Sequence, residues 1–302
     1  MKKLTVFTPT YNRAYCLHLL YESLCRQRSD DFMWLIIDDG SSDGTADLVG
    51  QWQLSSKFPI EYVYKENGGM HTGHNSAYAR IQTELNVCID SDDYLPDNAI
   101  DRMLELWAEH GSDDYAGMVG LDATPEGRIV GNQFPDDLKS STYTDLSRLY
   151  NATGDKKLVY RTEVTKKYDP YPTFGDEKFV PLYMPVLIDK DFPLLCFNEV
   201  FCIVDYQTDG STLNIFNQYF RNPRGFWHYR KIQMDYLPGL NLKFRSAVHY
   251  VSSSIILREK HFFQESPKKL LTFLAIPFGI ALYIYLSRNR NKKRDIKKYI
   301  AK

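Results

Sequence analysis

The chain has 302 residues, of which 43% are hydrophobic and 25% are charged. These values exclude wholesale disorder and fibrous repeats, and the length allows one large domain or two smaller ones. The formal net charge is −1 at pH 7. Because an overall basic footprint is absent, we expect no nucleic-acid partner.

Strand-like and helix-like segments alternate over the first 120 residues. Short apolar runs predict strands at residues 4–7, 32–37, 60–64, 85–89 and 116–121. One helix is predicted around Leu17, Leu20 and Leu24, and a second over 45–54. A third follows the glycine turn at 68–69 and ends at about residue 82, and a fourth covers 97–110. This alternation predicts an α/β fold with a mostly parallel sheet, and the continuous apolar strands indicate helices on both faces.

Polar clusters follow three of these strands, at residues 8–13 (TPTYNR), 38–45 (DDGSSDGT) and 90–93 (DSDD). Ligand sites of open α/β sheets lie at the carboxyl ends of the strands. We therefore expect the three clusters to converge on one site.

The cluster at 90–93 contains three carboxylates, Asp90, Asp92 and Asp93, which repel one another unless a cation binds. Mg²⁺ and Mn²⁺ take oxygen ligands and often bind through one or two carboxylates and substrate phosphates. The alternative is an acidic turn, or a cap for the helix at 97–110. For residues 38–45, an aspartate could accept an N–H from a nucleobase, or the segment could be a turn with a helix cap.

The remaining motifs offer stacking and positive charge. In TPTYNR, Tyr11 has a flat face for stacking and Arg13 is a cation suited to phosphate. Residues 65–72 combine a glycine turn with basic Lys65 and His71 on its two sides, which suits the close approach of a diphosphate. The dinucleotide GxGxxG and Walker A patterns are absent from the sequence, which disfavours those sites.

Taken together, TPTYNR, DDGSSDGT, ENGG…HN and DSDD, in this order and spacing, resemble glycosyltransferase family 2, which has the GT-A fold. The resemblance covers roughly residues 1–210, the predicted catalytic domain. It implies a UDP-sugar donor and a divalent metal, Mn²⁺ or Mg²⁺. It also implies inversion, in which a carboxylate deprotonates the acceptor hydroxyl as UDP leaves the anomeric carbon.

The same resemblance implies roles for individual residues. Pro9, Tyr11 and Asp39 would hold the uracil, with Arg13 nearby. Asp90 would contact the ribose, and Asp92 would ligate the metal that bridges the UDP diphosphate. Further candidates for the nucleotide site are Thr8, Lys65, Gly69 and Asn75.

The catalytic base of this family usually comes from an acidic pair some 80–100 residues after the metal motif. Asp176 and Glu177 stand in that place. We favour Glu177 over Asp176 as the base, and the other carboxylate could be a helix cap. The QxxRW motif of processive members is absent, which favours transfer of one sugar over polymer synthesis.

Residues 211–302 are predicted to be mostly helical. Residues 270–286 contain no charged side chain, and residues 288–302 carry a local charge of +7. An apolar stretch followed by a basic tail indicates an anionic membrane surface. The length of the apolar stretch lies at the short end of the roughly 17–25 residues that a membrane-spanning helix needs, so a spanning helix is one alternative. We favour a helix that lies in the interface or re-enters the membrane. The remaining alternative is a buried core helix.

Residues 222–226 and the following helices resemble C-terminal regions of bacterial polysaccharide-assembly transferases. We therefore expect a lipid-linked or glycan acceptor, and an enzyme at the cytoplasmic face of the membrane. Two other functions compete with this one, a nucleotidyltransferase and a non-catalytic, membrane-bound sugar-binding scaffold. The first would normally have a glycine-rich basic loop after strand one, and the second would need neither DSDD nor the Asp176–Glu177 pair.

Overall fold

The structure is a computed structural model, and it describes residues 2–205 and 214–292. These residues form two compact units. The first contains residues 2–170 and 191–205, and the second contains residues 171–190 and 214–292. Residues 171–190 thus belong to the second unit, and the predicted division of the chain at residue 210 stays a prediction.

The first unit is built on a sheet with the strand order β3-β2-β1-β4-β7-β5-β8-β6. Its strands are β1 (Leu4–Thr10), β2 (Phe32–Asp38), β3 (Ile60–Tyr64), β4 (Leu85–Cys88), β5 (Gly117–Ala123), β6 (Ser140–Ser141), β7 (Lys156–Arg161) and β8 (Leu194–Ile203). The four parallel pairs among these strands are β1–β2, β2–β3, β1–β4 and β5–β8. The predicted α/β fold is confirmed, with a sheet that is mixed.

One strand in the middle of the sheet runs against its neighbours. β7 lies between β4 and β5 and is antiparallel to both. Val87 pairs with Val159 and Leu121 pairs with Lys156. The first residues of β7 therefore lie at the same edge of the sheet as the carboxyl ends of β4 and β5.

Helices cover both faces of this sheet. They are α1 (Ala14–Cys25), α2 (Thr45–Ser55), α3 (Met70–Arg80), α4 (Ala99–His110), α5 (Tyr143–Tyr150) and α6 (Thr162–Thr165). On one face, Val6 and Ile36 pack with Leu20 of α1 and Met103 of α4. On the other face, Phe7, Leu35 and Ile37 pack with Ala77 and Ile81, at the end of α3. Successive side chains of β1 and β2 thus pack into two hydrophobic cores, one on each face of the sheet, as the continuous apolar runs predict.

The second unit is helical. Its helices are α7 (Met184–Ile188), α8 (Ile215–Arg221), α9 (Pro223–Tyr236), α10 (Leu240–Leu257), α11 (Phe262–Glu265) and α12 (Lys269–Asn289). Met234 of α9, Tyr250 and Val251 of α10 and Ala275 of α12 form its core. α12 continues through Pro277, and it is the one helix of the described residues that is long and apolar enough to cross a membrane.

Candidate active site

The strand ends that carry the polar clusters lie side by side. Thr10 pairs with Asp38 at the ends of β1 and β2, and the Asp39 N–H donates to Thr10 O over 2.8 Å. On the other side of β1, the Ile89 N–H donates to Phe7 O over 3.0 Å. The structure therefore brings the segments 8–13, 38–45 and 90–93 to one edge of the sheet.

Asn12 connects the loops that follow β1 and β2. Its N–H donates to Ser41 Oγ over 2.8 Å, and its Oδ1 accepts from the Ser42 N–H over 2.8 Å. Asn12 has a φ of 53°, a left-handed conformation that asparagine tolerates better than most residues. Sequence reasoning did not single out this residue, although an asparagine directly after a Thr-Pro-Thr turn is a signal for such a conformation.

Asp39 is 4% exposed, and its carboxylate holds the loop after β3. Oδ1 accepts from the Gly68 N–H over 2.9 Å, and Oδ2 accepts from the Gly69 N–H over 2.6 Å. Lys65 forms an ion pair with Oδ1. The Lys65 ammonium also donates to Glu66 O and to Thr72 Oγ1. Both Asp39 and Lys65 therefore shape the loop at residues 65–69, whatever else they bind.

Two glycines allow the loop after β2 and the loop at residues 65–69 to lie close together. Gly40 has a φ of +87°, and a Cβ there would lie 2.8 Å from the backbone nitrogen of Asn67. Gly69 has a φ of +92° immediately before α3. Side chains at either position would be strained, because positive φ is unfavourable for L-residues with a Cβ.

The TPTYNR residues differ in their exposure. Tyr11 is 49% exposed, and Pro9 and Arg13 are half-buried. Arg13 donates to the Tyr15 hydroxyl. Thr8 is fully buried, and its Oγ1 accepts a hydrogen bond from the Trp34 indole over 3.0 Å. The Thr8 side chain thus belongs to the core beneath the site.

The helix after the glycine turn presents less positive charge than expected. His71, expected to be a basic residue beside the turn, is fully buried. His74 is also buried, and burial lowers its pKa to about 4, although Asp90 opposes this shift. Asn75 is half-buried on the same helix, α3. The expectation of a histidine cation at the surface of this turn is therefore wrong.

Two of the three carboxylate residues in the acidic turn at residues 90–93 are at least partly exposed. Asp90 is exposed and Asp92 is half-buried, whereas Asp93 is buried. The turn does not cap α4, since that helix begins at Ala99 and its cap residue is Asn98. The residues described contain no cluster of three or more His, Cys, Asp or Glu side chains that could hold a metal by themselves. Two carboxylates fit Mg²⁺ or Mn²⁺ when substrate phosphates supply further oxygens.

A buried lysine lies next to Asp93. Lys157 Nζ is 3.7 Å from Asp93 Oδ2, and Asp122 is buried nearby on β5. Burial raises the pKa of Asp93, while Lys157 opposes this rise. Burial raises the pKa of Asp122 to about 6, again opposed by Lys157. Sequence reasoning missed Lys157; the available signal was a pair of lysines at the start of the strand-like segment KKLVYR.

The two candidates for the base lie in the second unit and differ from each other. Glu177 is half-buried, and its two oxygens accept hydrogen bonds from the N–H groups of Arg224 and Gly225, each over 2.9 Å. These N–H groups belong to the first turn of α9, so the helix cap is Glu177, the residue favoured as the base, and not Asp176. Burial raises the pKa of Glu177, and the two hydrogen bonds oppose the rise. Asp176 is exposed.

Sequence comparisons match the first part of the chain. The model of the family described as Glycosyl transferase family 2 matches residues 5–165. A glycosyltransferase of Nostoc sp. is 28% identical over 179 residues, which cover 56% of this chain and 53% of that protein. TuaG of Bacillus subtilis, named as a teichuronic acid biosynthesis glycosyltransferase, is 24% identical over 76% of this chain and 88% of its own length. This chain thus spans about half of the Nostoc protein and most of TuaG.

Solved structures share the fold. The crystal structure of Staphylococcus aureus TarS residues 1–349 in complex with UDP-GlcNAc has a TM-score of 0.58 at 16% identity, covering 95% of this chain and 91% of that one. A mannosyltransferase of Pyrobaculum calidifontis, in complex with GDP-Man and Mn²⁺, has a TM-score of 0.56 at 15% identity, covering 95% of this chain and 75% of that one. The chain therefore belongs to glycosyl transferase family 2 and is a glycosyltransferase with the GT-A fold.

Proposed function

We propose that this enzyme transfers one sugar, with inversion, from a UDP-sugar to a lipid-linked or glycan acceptor in the assembly of bacterial cell-surface polysaccharide. The observation that carries the proposal is the convergence of the segments 8–13, 38–45 and 90–93 at one sheet edge. The UDP-GlcNAc complex of TarS supports the choice of donor, and the name of TuaG supports the kind of product.

The nucleotide would bind at the ends of β1 and β2. The exposed ring of Tyr11 offers a stacking surface for the uracil, next to Pro9. Asp39 would accept the uracil N–H in addition to the three hydrogen bonds it already accepts, because a carboxylate has about four acceptor sites. Asp90, exposed at the end of β4, would accept hydrogen bonds from the ribose hydroxyls.

Asp90 and Asp92 would hold the divalent metal together with the donor diphosphate. When bound, such a cation offsets the negative charge that develops on the leaving diphosphate. The two carboxylates would supply oxygen ligands from one turn, which is closed by the Asp93 N–H donating to Asp90 O over 3.0 Å. The Mn²⁺ complex of the P. calidifontis mannosyltransferase supports this part of the proposal.

Glu177 would be the general base, and Asp176 is the alternative. The acceptor hydroxyl oxygen forms a bond to the anomeric carbon while the bond from that carbon to UDP breaks, and the hydroxyl proton passes to the carboxylate. A base needs a fixed orientation and a pKa closer to the working pH. Glu177 has both properties, since two N–H groups of α9 fix its oxygens and burial raises its pKa.

The enzyme would bind the membrane through one face of α12. On the opposite face, Ala275 is buried against α10, and a Cβ at Gly279 would lie 2.5 Å from Val251. The outer face leaves large apolar side chains exposed, namely Leu270, Phe273, Leu274, Phe278, Ile280, Ile284 and Tyr285. Lys268 and Lys269 precede this face, and Arg288, Arg290 and Lys292 follow it. Residues 293–302 of the basic tail lie outside the described residues.

The packing of α12 supports an orientation in the plane of the membrane. Phe278, near the middle of α12, contacts Phe244 of α10 with a distance of 5.7 Å between ring centroids. The next residue, Arg245, is exposed. A spanning α12 would place Arg245 near the centre of the bilayer, at a cost of about 2.5–3.5 kcal/mol or more. An α12 that lies in the headgroup region leaves Arg245 in water, and the enzyme would then bind at the cytoplasmic surface.

A donor panel tests the catalytic proposal. Purified enzyme is incubated with several UDP-sugars and a lipid-linked acceptor extract, with Mn²⁺ or with excess EDTA, and released UDP is measured. We expect turnover with one or a few UDP-sugars, none in EDTA, and nearly none for Asp92→Ala, which should remain folded. Full turnover in EDTA would contradict the metal site, and failure of every UDP-sugar would contradict the donor class.

Vesicle sedimentation tests membrane binding. Removal of α12 would uncover the core around Tyr250, so point variants are the better probe. Phe273→Ser with Phe278→Ser should weaken binding to phosphatidylglycerol vesicles by about 10-fold or more, since each exposed phenylalanine is worth about 1.5–3 kcal/mol when buried. Leu54→Ser, at a 92% exposed leucine of the first unit, is the matched control and should bind like the wild type. Equal binding by all three proteins would exclude this face.

A further inference from the structure

A buried ion pair lies directly behind the acidic turn at residues 90–93. Lys157, the second residue of β7, has its Nζ 3.7 Å from Asp93 Oδ2, and each of the two side chains is 11% exposed. Within residues 2–205 and 214–292, neither side chain has a second ion pair. Lys157 thus supplies the counter-charge for the one carboxylate of the turn that faces the interior.

The Lys157 ammonium lies close to several carboxylates that repel one another. Asp90, Asp92 and Asp93 are close in sequence, and Asp122 on β5 adds a fourth carboxylate, 2% exposed, whose Oδ1 has no hydrogen-bond partner. Like charges at such positions repel, and an unpaired buried carboxylate is strongly unfavourable. Without Lys157, the Asp93 carboxylate would keep one long hydrogen bond, from the Asp205 N–H over 3.4 Å, and moving Asp93 outward would relieve the repulsion.

We propose that Lys157 is a positioning residue for the donor site, which holds Asp93 and thereby keeps Asp90 and Asp92 turned toward the metal and the diphosphate. The inference rests on the proposed function, because it takes Asp90 and Asp92 as the metal-binding carboxylates. Asp93 transmits the effect through the backbone, since its N–H closes the turn onto Asp90 O. Lys157 is itself fixed, because it pairs with Gly120 of β5, and from Val159 onward the strand is paired with both β4 and β5.

The neighbouring lysine provides a matched control. Lys156 is as buried as Lys157, but its ammonium donates to the carbonyls of Val130 and Thr153, over 3.1 and 2.6 Å. Successive residues of a strand point to opposite faces. Lys156→Met therefore removes a buried cation of the same strand without touching the acidic turn.

The test is a titration of Mn²⁺ in the presence of UDP, followed by electron paramagnetic resonance of the free ion. For Lys157→Met we expect Mn²⁺ affinity to fall about 10-fold, the lower end of the loss on removing an outer-shell partner of a metal site. Lys157→Arg should restore the affinity to within about threefold, because it keeps the charge. Lys156→Met should lower the melting temperature but leave the affinity within about twofold, since it makes no contact with the turn.

The direction of the change is informative. Removal of a nearby positive charge, without any change of geometry, would make Mn²⁺ bind more tightly. Unchanged or tighter binding by a folded Lys157→Met variant therefore overturns the proposal. If that variant does not fold, Lys157→Met with Asp93→Asn removes both charges together. The double variant should lose the same factor as Asp93→Asn alone, and a larger loss in the double variant would overturn the proposal.

The experiment separates this inference from the proposed function. If the wild type binds Mn²⁺ and UDP no better than Asp92→Ala, the metal site itself is wrong, and the role of Lys157 falls with it. If the wild type binds better than Asp92→Ala, and Lys157→Met matches the wild type, only the positioning role is wrong.

Discussion

Asp39→Asn tests whether one carboxylate both shapes the loop at 65–69 and recognises the base. The substitution replaces one carboxylate oxygen by an NH₂ group. That group must face either Gly69 N–H, or Gly68 N–H and Lys65, so at least one hydrogen bond to a charged acceptor is lost. Such a bond is worth about 1.5–3 kcal/mol, and the ion pair with the partly exposed Lys65 adds no more than about 1 kcal/mol.

We therefore expect the free energy of unfolding to fall by about 2–4 kcal/mol, which lowers the melting temperature by about 5–15 °C in a unit of this size. The dissociation constant of UDP should rise by about 10-fold or more, because a lost hydrogen bond to a charged group is worth at least about 1.4 kcal/mol. Thermal unfolding and isothermal titration calorimetry measure the two effects separately.

Two controls accompany this variant. Asp47→Asn makes the same chemical change at an exposed residue in the first turn of α2 and should alter neither quantity by much. Lys65→Met removes the ion pair but keeps both backbone hydrogen bonds. If Asp39→Asn unfolds and binds UDP like the wild type, the loop does not depend on this carboxylate. If only its stability falls, the loop role stands and base recognition by Asp39 is refuted.

Three further predictions concern single side chains. Because burial raises the pKa of Glu177 and its carboxylate is the active form, kcat should fall as the pH drops, with a midpoint above that of an ordinary glutamate. Asp176→Asn should keep this midpoint, and a pH profile that Glu177→Gln leaves unchanged would identify another base. Gly40→Ala should lower stability more than Gly127→Ala. Both glycines have a positive φ, which costs an alanine about 1–2 kcal/mol, but of the two only Gly40 has neighbours within reach of a Cβ. Equal melting temperatures for the two variants would exclude the clash. Thr8→Val should lower the free energy of unfolding by about 1–3 kcal/mol, because the Trp34 indole N–H loses its acceptor. The affinity for UDP should stay unchanged, and weaker UDP binding would show that Thr8 does reach the nucleotide.

The sequence allowed prediction of the elements whose signals are local. Residues 32–37 are apolar without interruption, and residues 4–7 are apolar except for Thr5, because β1 and β2 are buried on both faces. The polar residues after the two strands mark the candidate site. The antiparallel strand β7 was not predicted. It begins with two lysines, which read as a solvated segment, and they are buried only because tertiary partners from distant parts of the chain surround them.

The candidate site shows the same division. The spacing of Asp90 and Asp92 in the sequence predicts a metal-binding turn, and in the structure Asp90 is exposed and Asp92 is half-buried. The burial of Thr8 and His71 could not be predicted, because each lies in a motif that also contains exposed residues. Their position depends on which face of β1 or α3 packs on the core, and a short motif does not define that face.

The hydrogen bonds between the loops after β1 and β2 have a thermodynamic consequence for donor binding. Asn12 fixes Ser41 and Ser42, and Asp43 accepts from the Ala14 N–H over 3.0 Å, so neither loop can move without the other. Ordering a backbone residue costs about 1–2 kcal/mol of conformational entropy. Here these residues become ordered when the protein folds and not when the donor binds. If uracil binds here as proposed, the loops are already ordered before the donor arrives, and association with UDP should be fast and involve little change in loop order.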